Sequence, residues 1–357
     1  VTSLDIGIIA SSEAKTDEPF AGGMESHTVT LAEGLRRRGH RVRIHAAGDI
    51  GPPGSAGRGF TPSNAARSDV SMPEAGFMAR HHAYLGLMLA IDGCGHDVVH
   101  NNSYHYLPVA MGPAARTPIV TTLHTPPTPW LESAIGCGTG HERLHWISVS
   151  ATNTENWAHA PIDPVTIHNG VDLEHWKFAG RGVPGTAVWS GRIVPEKGVH
   201  LAIEAAREAG YRLNIAGPIS DRGYFERQVR PELGSRDVRY LGHLDTSALV
   251  EAVGAAEVCL VTPCWEEPFG LVAAEALATG TPVAAIARGA LSEVVGPCGR
   301  VAPPGDPEAL ARCVREAAAI PSEACRERAE LYFNAERMID RYLDVYRLAA
   351  ELDPAPA

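Results

Sequence analysis

Apolar residues in this chain fall into short runs, separated by stretches where they recur at helical spacing. Residues 4–10 (LDIGIIA) predict a buried strand, residues 25–38 an amphipathic helix and residues 41–46 a second strand. Residues 74–91 predict a helix, and residues 97–100, 119–123, 146–149 and 165–168 predict further strands. The rhythm then restarts. Strands at 187–190, 212–216, 238–241, 258–261 and 282–286 alternate with helices at 200–208, 247–255 and 270–278. Short apolar strands alternating with helices build parallel sheets covered on both faces. Two such series predict an α/β protein of two doubly wound, Rossmann-like domains, 1–170 and 171–335, joined near the turn-rich stretch 169–184. A last helix, 334–352, follows the second series, and the segment 336–357 is expected to pack back on the first domain. Open parallel sheets bind ligands beyond the carboxyl ends of their strands. Two such domains facing each other therefore predict a ligand in the cleft between them. The tract 51–71, rich in Gly, Pro and Ser, is expected to be loop; residues 11–20 carry no readable pattern.

Length and charge narrow the function classes. At 357 residues the chain suits two domains, each with its own core. No apolar run is long enough to cross a bilayer, and the first residues lack a charged lead or cleavage site. Neither an integral membrane segment nor a signal peptide is expected, and the expected location is cytoplasmic. The net charge of −11 argues against a nucleic-acid partner. Seven irregularly spaced cysteines without a CxxC pair predict reduced thiols, with no disulfide framework or zinc site. The basic cluster Arg36, Arg37, Arg38, Arg41 and Arg43 has two readings. It either complements a helix C-terminus or contacts an acidic lipid surface.

Three strand-to-loop junctions carry candidate chemistry. The first, residues 20–27 (FAGGMESH), puts Gly22 and Gly23 ahead of the first long helix. Paired glycines permit close backbone approach, and a helix start offers N–H groups to an anion; they also make a plain loop. The second, residues 190–198 (SGRIVPEKG), places Arg192 and Lys197 across a turn at Pro195. Both cations can reach one diphosphate, or stand as solvated loop charges with Glu196 pairing locally. The third, residues 266–275 (EEPFGLVAAE), follows an apolar strand. Pro268 suits a helix start. Glu275 lies in an otherwise apolar or small-residue helix, where a buried carboxylate is costly without partners. It is either on the exposed side or held by ligand hydroxyls. Glu267 precedes that helix, with Glu266 beside it as a rival for the same part.

In order and spacing these segments resemble the retaining family-4 glycosyltransferases of GT-B fold. Glu267 and Glu275 are similar to that family's E-x7-E motif, with Pro-Phe-Gly after the first Glu. Gly191, Arg192, Lys197 and Gly198 are similar to its G-R-x-x-x-x-K-G segment, and Gly22, Gly23, Glu25 and His27 to its G-G-x-E-x-H loop. The resemblance implies that Arg192 and Lys197 hold the donor diphosphate and that Glu275 binds the nucleotide ribose. It implies that Glu267, with backbone N–H groups at Phe269, Gly270 and Leu271, contacts the donor sugar. Gly22 and Gly23 then belong to the donor site from the opposite domain, and His124 sits beside the transferred sugar. Catalytic parts fall to Arg192, Lys197, Glu267 and His124. No DxD motif occurs, so no metal or other cofactor is expected at the diphosphate.

The donor is expected to be a UDP- or GDP-linked sugar. Through Gly170 the chain has 11 Lys plus Arg against 15 Asp plus Glu, which favours a soluble acceptor such as a metabolite or natural-product scaffold. The alternatives are a GT-B epimerase or phosphorylase, a binding protein without turnover, and a transferase acting on a membrane lipid or glycan. The acceptor and the oligomeric state are left open.

Overall fold

Parallel strands buried on both faces organise the computed structural model, which describes residues 3–11, 18–20, 22–45, 75–138, 142–234 and 237–351. The first sheet contains β1 (Asp5–Ile9), β2 (Arg41–His45), β3 (Val98–Asn101), β4 (Ile119–Leu123), β5 (Leu144–Ser148) and β6 (Val165–Thr166), in the order β2-β1-β3-β4-β5-β6. The second contains β7 (Val183–Ser190), β8 (Arg212–Ala216), β9 (Val238–Gly242), β10 (Ala256–Val261), β11 (Val283–Ile286) and β12 (Gly299–Ala302), in the order β12-β11-β10-β7-β8-β9. Every pairing is parallel. The strand order reverses direction between β1 and β3 in one sheet and between β7 and β10 in the other. Such switch points leave a crevice at the carboxyl ends of the strands. The segments leaving β1, β7 and β10 are the three junctions singled out in the sequence.

The tract 51–71 and most of 11–20 lie outside the described residues. Elsewhere the predicted elements form, and the structure adds helices that the sequence pattern does not place, among them Leu107–Met111, Pro129–Cys137, Pro307–Ala317 and Ser322–Tyr332. The helix after β10 runs Leu271–Thr279, so Pro268 lies in the turn before it and does not open it. Gly270 occupies the N-cap at φ 90°, a left-handed conformation that glycine adopts without a side-chain clash. Strand β12 was not anticipated, because it is a sheet edge with Arg300 and Val301 exposed and so lacks an apolar run.

The last helix, Ala335–Glu351, leaves the second half and packs on the first. Met338, Ile339, Tyr342, Leu343 and Tyr346 join Ile6, Ile8, Leu31 and Leu35 in one core. Gly34 makes the contact close, since a Cβ there would lie 2.1 Å from Ile339 Cδ1. Arg37 and Arg38 both pair with Glu336 at 2.8 Å, and Arg38 also with Asp340 at 2.9 Å. Arg41 pairs with Asp5 at 2.9 Å, and Arg36 donates to the carbonyl of Val42 at 3.0 Å. Most of the basic cluster thus answers groups of this chain. Exposed ion pairs contribute about 0–1 kcal/mol each, whereas a large buried apolar side chain contributes about 1.5–3 kcal/mol, so the apolar contact dominates.

The two connections between the halves run side by side. Val171 N donates to Phe333 O at 2.6 Å, and Ala335 N donates to Val171 O at 3.0 Å. Among the described residues no helix is long and apolar enough to cross a membrane.

Candidate active site

A cavity of about 640 Å³ lies between the facing carboxyl ends of the sheets. The first half lines it with Gly22, Gly23 and His124. The second half supplies Arg192, Lys197, Glu267, Phe269, Gly270, Leu271 and Glu275. Every residue singled out for a catalytic or donor-binding part therefore borders one space.

The loop after β7 and the turn after β8 that packs on it are built on glycines that cannot be replaced without collision. Gly198 has φ 64°, and a Cβ there would lie 2.0 Å from Thr262 O. Gly217 has φ 138°, and a Cβ there would lie 1.9 Å from Gly191 O. This close backbone packing fixes the turn Pro195–Lys197 and aims Lys197 into the cleft. The Lys197 ammonium pairs with Glu267 Oε2 at 2.7 Å and lies 5.2 Å from the Trp265 ring centroid. Arg192 is exposed to the cavity and has no hydrogen-bond or salt-bridge partner among the described residues.

The two neighbouring glutamates part company. Glu266 turns outward to Arg288, at 3.1 Å, and accepts from Gly289 N at 2.7 Å. Glu267 turns inward, where it also accepts from Trp265 Nε1 at 3.1 Å. Its carbonyl accepts from Ala290 N at 2.8 Å, and Gly289 sits so close that a Cβ would fall 2.1 Å from that carbonyl oxygen. This clamp decides which carboxylate faces the cavity.

Glu275 lines the cavity and is partly exposed. Among the described residues nothing hydrogen-bonds or pairs with its carboxylate, and desolvation by the surrounding protein pushes its pKa up to about 8. Such a group is poised to accept hydrogen bonds from a ligand.

The opposite wall begins at Gly22 and Gly23, the start of the helix Gly23–Arg37. A Cβ on Gly23 would lie 3.3 Å from Leu271 Cδ2, and one on Gly22 would lie 4.0 Å from Arg192 Nε. Here the two halves come close, and side chains would narrow the cleft. His124 is fixed behind this wall by a chain of buried polar groups. Thr28 Oγ1 donates to Met24 O at 2.7 Å, and Asn102 Nδ2 donates to Thr28 Oγ1 at 2.6 Å. Asn102 Oδ1 then accepts from His124 Nε2, which assigns the ring proton to that nitrogen. Burial holds His124 well below the ordinary histidine pKa, so the ring is neutral. His27 packs edge-on against it with centroids 5.1 Å apart, and both buried nitrogens of His27 lack hydrogen-bond partners among the described residues.

Glu293 links the halves below the cleft. It accepts from Ala151 N at 3.0 Å, Thr152 N at 2.9 Å and Thr152 Oγ1 at 2.8 Å, and it lies 2.7 Å from His168 Nε2. Burial pushes this carboxyl up, but the bonds from His168, Thr152 and Ala151 outweigh burial and hold it at about 2. A depressed carboxylate contributes stability that is present above the unfolded pKa of about 4.5 and is lost as pH falls towards 2. Replacing Glu293 by Gln is expected to remove stability on the order of 2–3 kcal/mol at neutral pH. Its melting temperature should then change less than that of the parent between pH 5 and about 2. Thermal melts of the two proteins across that range check this.

Asn102, Tyr104, Trp265 and Glu293 escaped the sequence reading. Tyr104 lines the cleft with its ring about half exposed. Each of these four residues gains its position from a partner distant in the sequence or from a loop conformation.

Two family models match, "Glycosyltransferase Family 4" over residues 21–175 and "Glycosyl transferases group 1" over residues 173–337. The chain is 30% identical to a glycogen synthase of Mycobacterium tuberculosis over 296 residues, 73% of this chain and 71% of that protein. It is also 30% identical to a phosphatidyl-myo-inositol mannosyltransferase of Mycobacterium leprae over 335 residues, 86% of each. Among solved structures, HepE of Anabaena in complex with UDP-glucose superposes with a TM-score of 0.70, at 16% identity, covering 97% of this chain and 100% of that one. The fold is GT-B. The chain belongs to the family-4 glycosyltransferases, and it is a glycosyltransferase.

Proposed function

We propose that this enzyme transfers a hexosyl group from a UDP- or GDP-linked sugar to a soluble small-molecule acceptor, with retention of anomeric configuration. The observation that carries this reading is that Arg192 and the Glu275 carboxylate, both without a partner among the described residues, border one interdomain cavity. A nucleotide sugar supplies the complement of both, an anionic diphosphate and neutral ribose hydroxyls. HepE, bound to UDP-glucose, has the same fold.

Cleaving the bond from the anomeric carbon to the diphosphate develops positive charge on the sugar ring and negative charge on the leaving group. Arg192 and Lys197 hold that diphosphate without a metal, and the N–H groups from Phe269 to Leu271 add to the field. Donors fixed in advance act here without reorganisation, each contributing roughly 3–4 kcal/mol to the chemical step. Glu275 binds ribose hydroxyls. Glu267, oriented by Lys197 and Trp265, binds hydroxyls of the donor sugar. Gly22 and Gly23 let the first half approach the phosphates, and His124 contacts the transferred sugar through its neutral ring. The acceptor attacks from the face the diphosphate leaves, and a leaving-phosphate oxygen takes its proton.

A soluble acceptor is favoured because Arg37, Arg38 and Arg41 are engaged by Glu336, Asp340 and Asp5, which leaves less charge for an anionic membrane. The test is incubation with UDP- and GDP-sugars and a panel of soluble acceptors in the presence of a chelator. The outcomes are read as nucleoside diphosphate release and as product anomeric configuration by proton NMR. Release with a retained linkage is expected. Inversion, or turnover only with acceptors embedded in vesicles, contradicts the proposal, as does conversion of the donor sugar alone.

A further inference from the structure

Away from the cleft, three metal-ligating side chains meet under the end of the helix Ala75–Ala90. His45 closes β2 and is buried. His96 precedes β3, and its buried ring lies across Gly7 of β1, where any Cβ would come within 2.6 Å of His96 Cδ2. Cys94 ends the 3₁₀ turn Ile91–Cys94 and is half-buried. One ligand atom from each of the three falls within 4.8 Å of the others. His45 Nε2 and His96 Nε2 face each other at 2.8 Å, and Asp5 Oδ1 lies 2.5 Å from His96 Nδ1. Asp5 thereby keeps the proton on Nδ1 of His96 and leaves its Nε2 lone pair aimed at His45. A carboxylate that orients a histidine in this way is the usual outer support of a metal ligand.

We propose that His45, Cys94 and His96 bind a zinc ion, with Asp5 as the positioning residue. Two imidazoles and a thiolate form a donor set suited to zinc, and a water completes the tetrahedron. Tetrahedral zinc with bonds of about 2.0–2.1 Å needs ligand nitrogens about 3.3 Å apart, so the two rings need part only slightly. On binding, the shared Nε2 proton of His45 moves to its Nδ1. The thiol proton of Cys94 leaves to solvent, so one proton is released per zinc. The ion, the thiolate, the Asp5 carboxylate and the Arg41 guanidinium paired with it then sum to one positive charge, carried at the exposed Arg41. None of the three ligands lines the donor cavity. The site would pin β2, β1 and the segment before β3 together.

The test uses the full chain, prepared without a histidine tag, stripped by chelator and titrated with Zn2+ and separately with Co2+. One equivalent of zinc is expected to bind with a rise in melting temperature, and cobalt should show a thiolate charge-transfer band. Cys94→Ser should abolish that band and weaken zinc binding at least tenfold. Asp5→Asn should keep the band while weakening affinity about 10- to 100-fold. Cys298→Ser should change neither. Absence of saturable zinc binding overturns the proposal, and so does a band that persists in Cys94→Ser, since the metal then sits on other thiols. No sugar donor is needed, so this result is independent of the transfer reaction.

Discussion

Arg192→Ala is expected to lower turnover about 100- to 1,000-fold while leaving the melting temperature almost unchanged. The kinetic half follows from the charge on the departing diphosphate, where one pre-placed donor contributes roughly 3–4 kcal/mol. The stability half follows from the structure. Arg192 is exposed and pairs with nothing among the described residues, so its removal orphans no group. Lys197→Ala should show a comparable kinetic loss with a different side effect. It leaves the nearly buried Glu267 without its cation, so some stability and donor affinity should go with it. Steady-state kinetics and thermal melts on both variants check this. Wild-type turnover in either one contradicts the diphosphate role.

Glu275→Gln is expected to move two observables in opposite directions. At pH 9, above the raised pKa, donor affinity should fall about 10- to 100-fold, because the carboxylate is charged there and hydrogen bonds to a charged group contribute about 1.5–3 kcal/mol. The loss should be similar for uridine and guanosine nucleotides, which share the ribose. The unliganded protein should become more stable at alkaline pH. A carboxyl raised from 4.5 to about 8 favours its protonated form in the folded state. Stability is therefore fully present below pH 4.5 and is lost as pH rises towards 8. Glutamine carries no such penalty. The variant should melt several degrees above the parent at pH 8 and close to it at pH 4.5. Calorimetric titration at pH 9 and melts at pH 8 and pH 4.5 check both halves. A variant that loses affinity without the alkaline gain indicates ordinary structural damage.

The second-half lining of the cleft was legible in the sequence because it depends on local features. The glycines and cations after β7 and the carboxylates flanking Phe269–Leu271 fall in two short segments, each at the end of a strand whose apolar run is plain. The apolar runs also placed β1, β4, β8 and β10 to within about two residues, since each is a buried strand. Tertiary facts were not legible. Choosing Glu267 over Glu266 needed the clamp at Gly289 and Ala290. His124 was named, but Asn102 and Thr28, which set its tautomer, come from another strand and another helix. Glu293 meets Ala151 and Thr152 only because the halves face each other. His45, Cys94 and His96 have no metal-binding spacing in the chain, and only the parallel register of β2, β1 and β3 brings them together. The sequence expectation of no zinc site rested on cysteine spacing, which does not report such a meeting.

The most direct measurement of the central claim is calorimetric titration of UDP and GDP at pH 9, in the presence of chelator, into the parent chain, Arg192→Ala and Glu275→Gln. One nucleoside diphosphate should bind the parent saturably at one site per chain, and both variants should bind it at least tenfold more weakly while remaining folded. Binding of equal strength in all three proteins would place the nucleotide outside this cleft and contradict the assignment of the donor site.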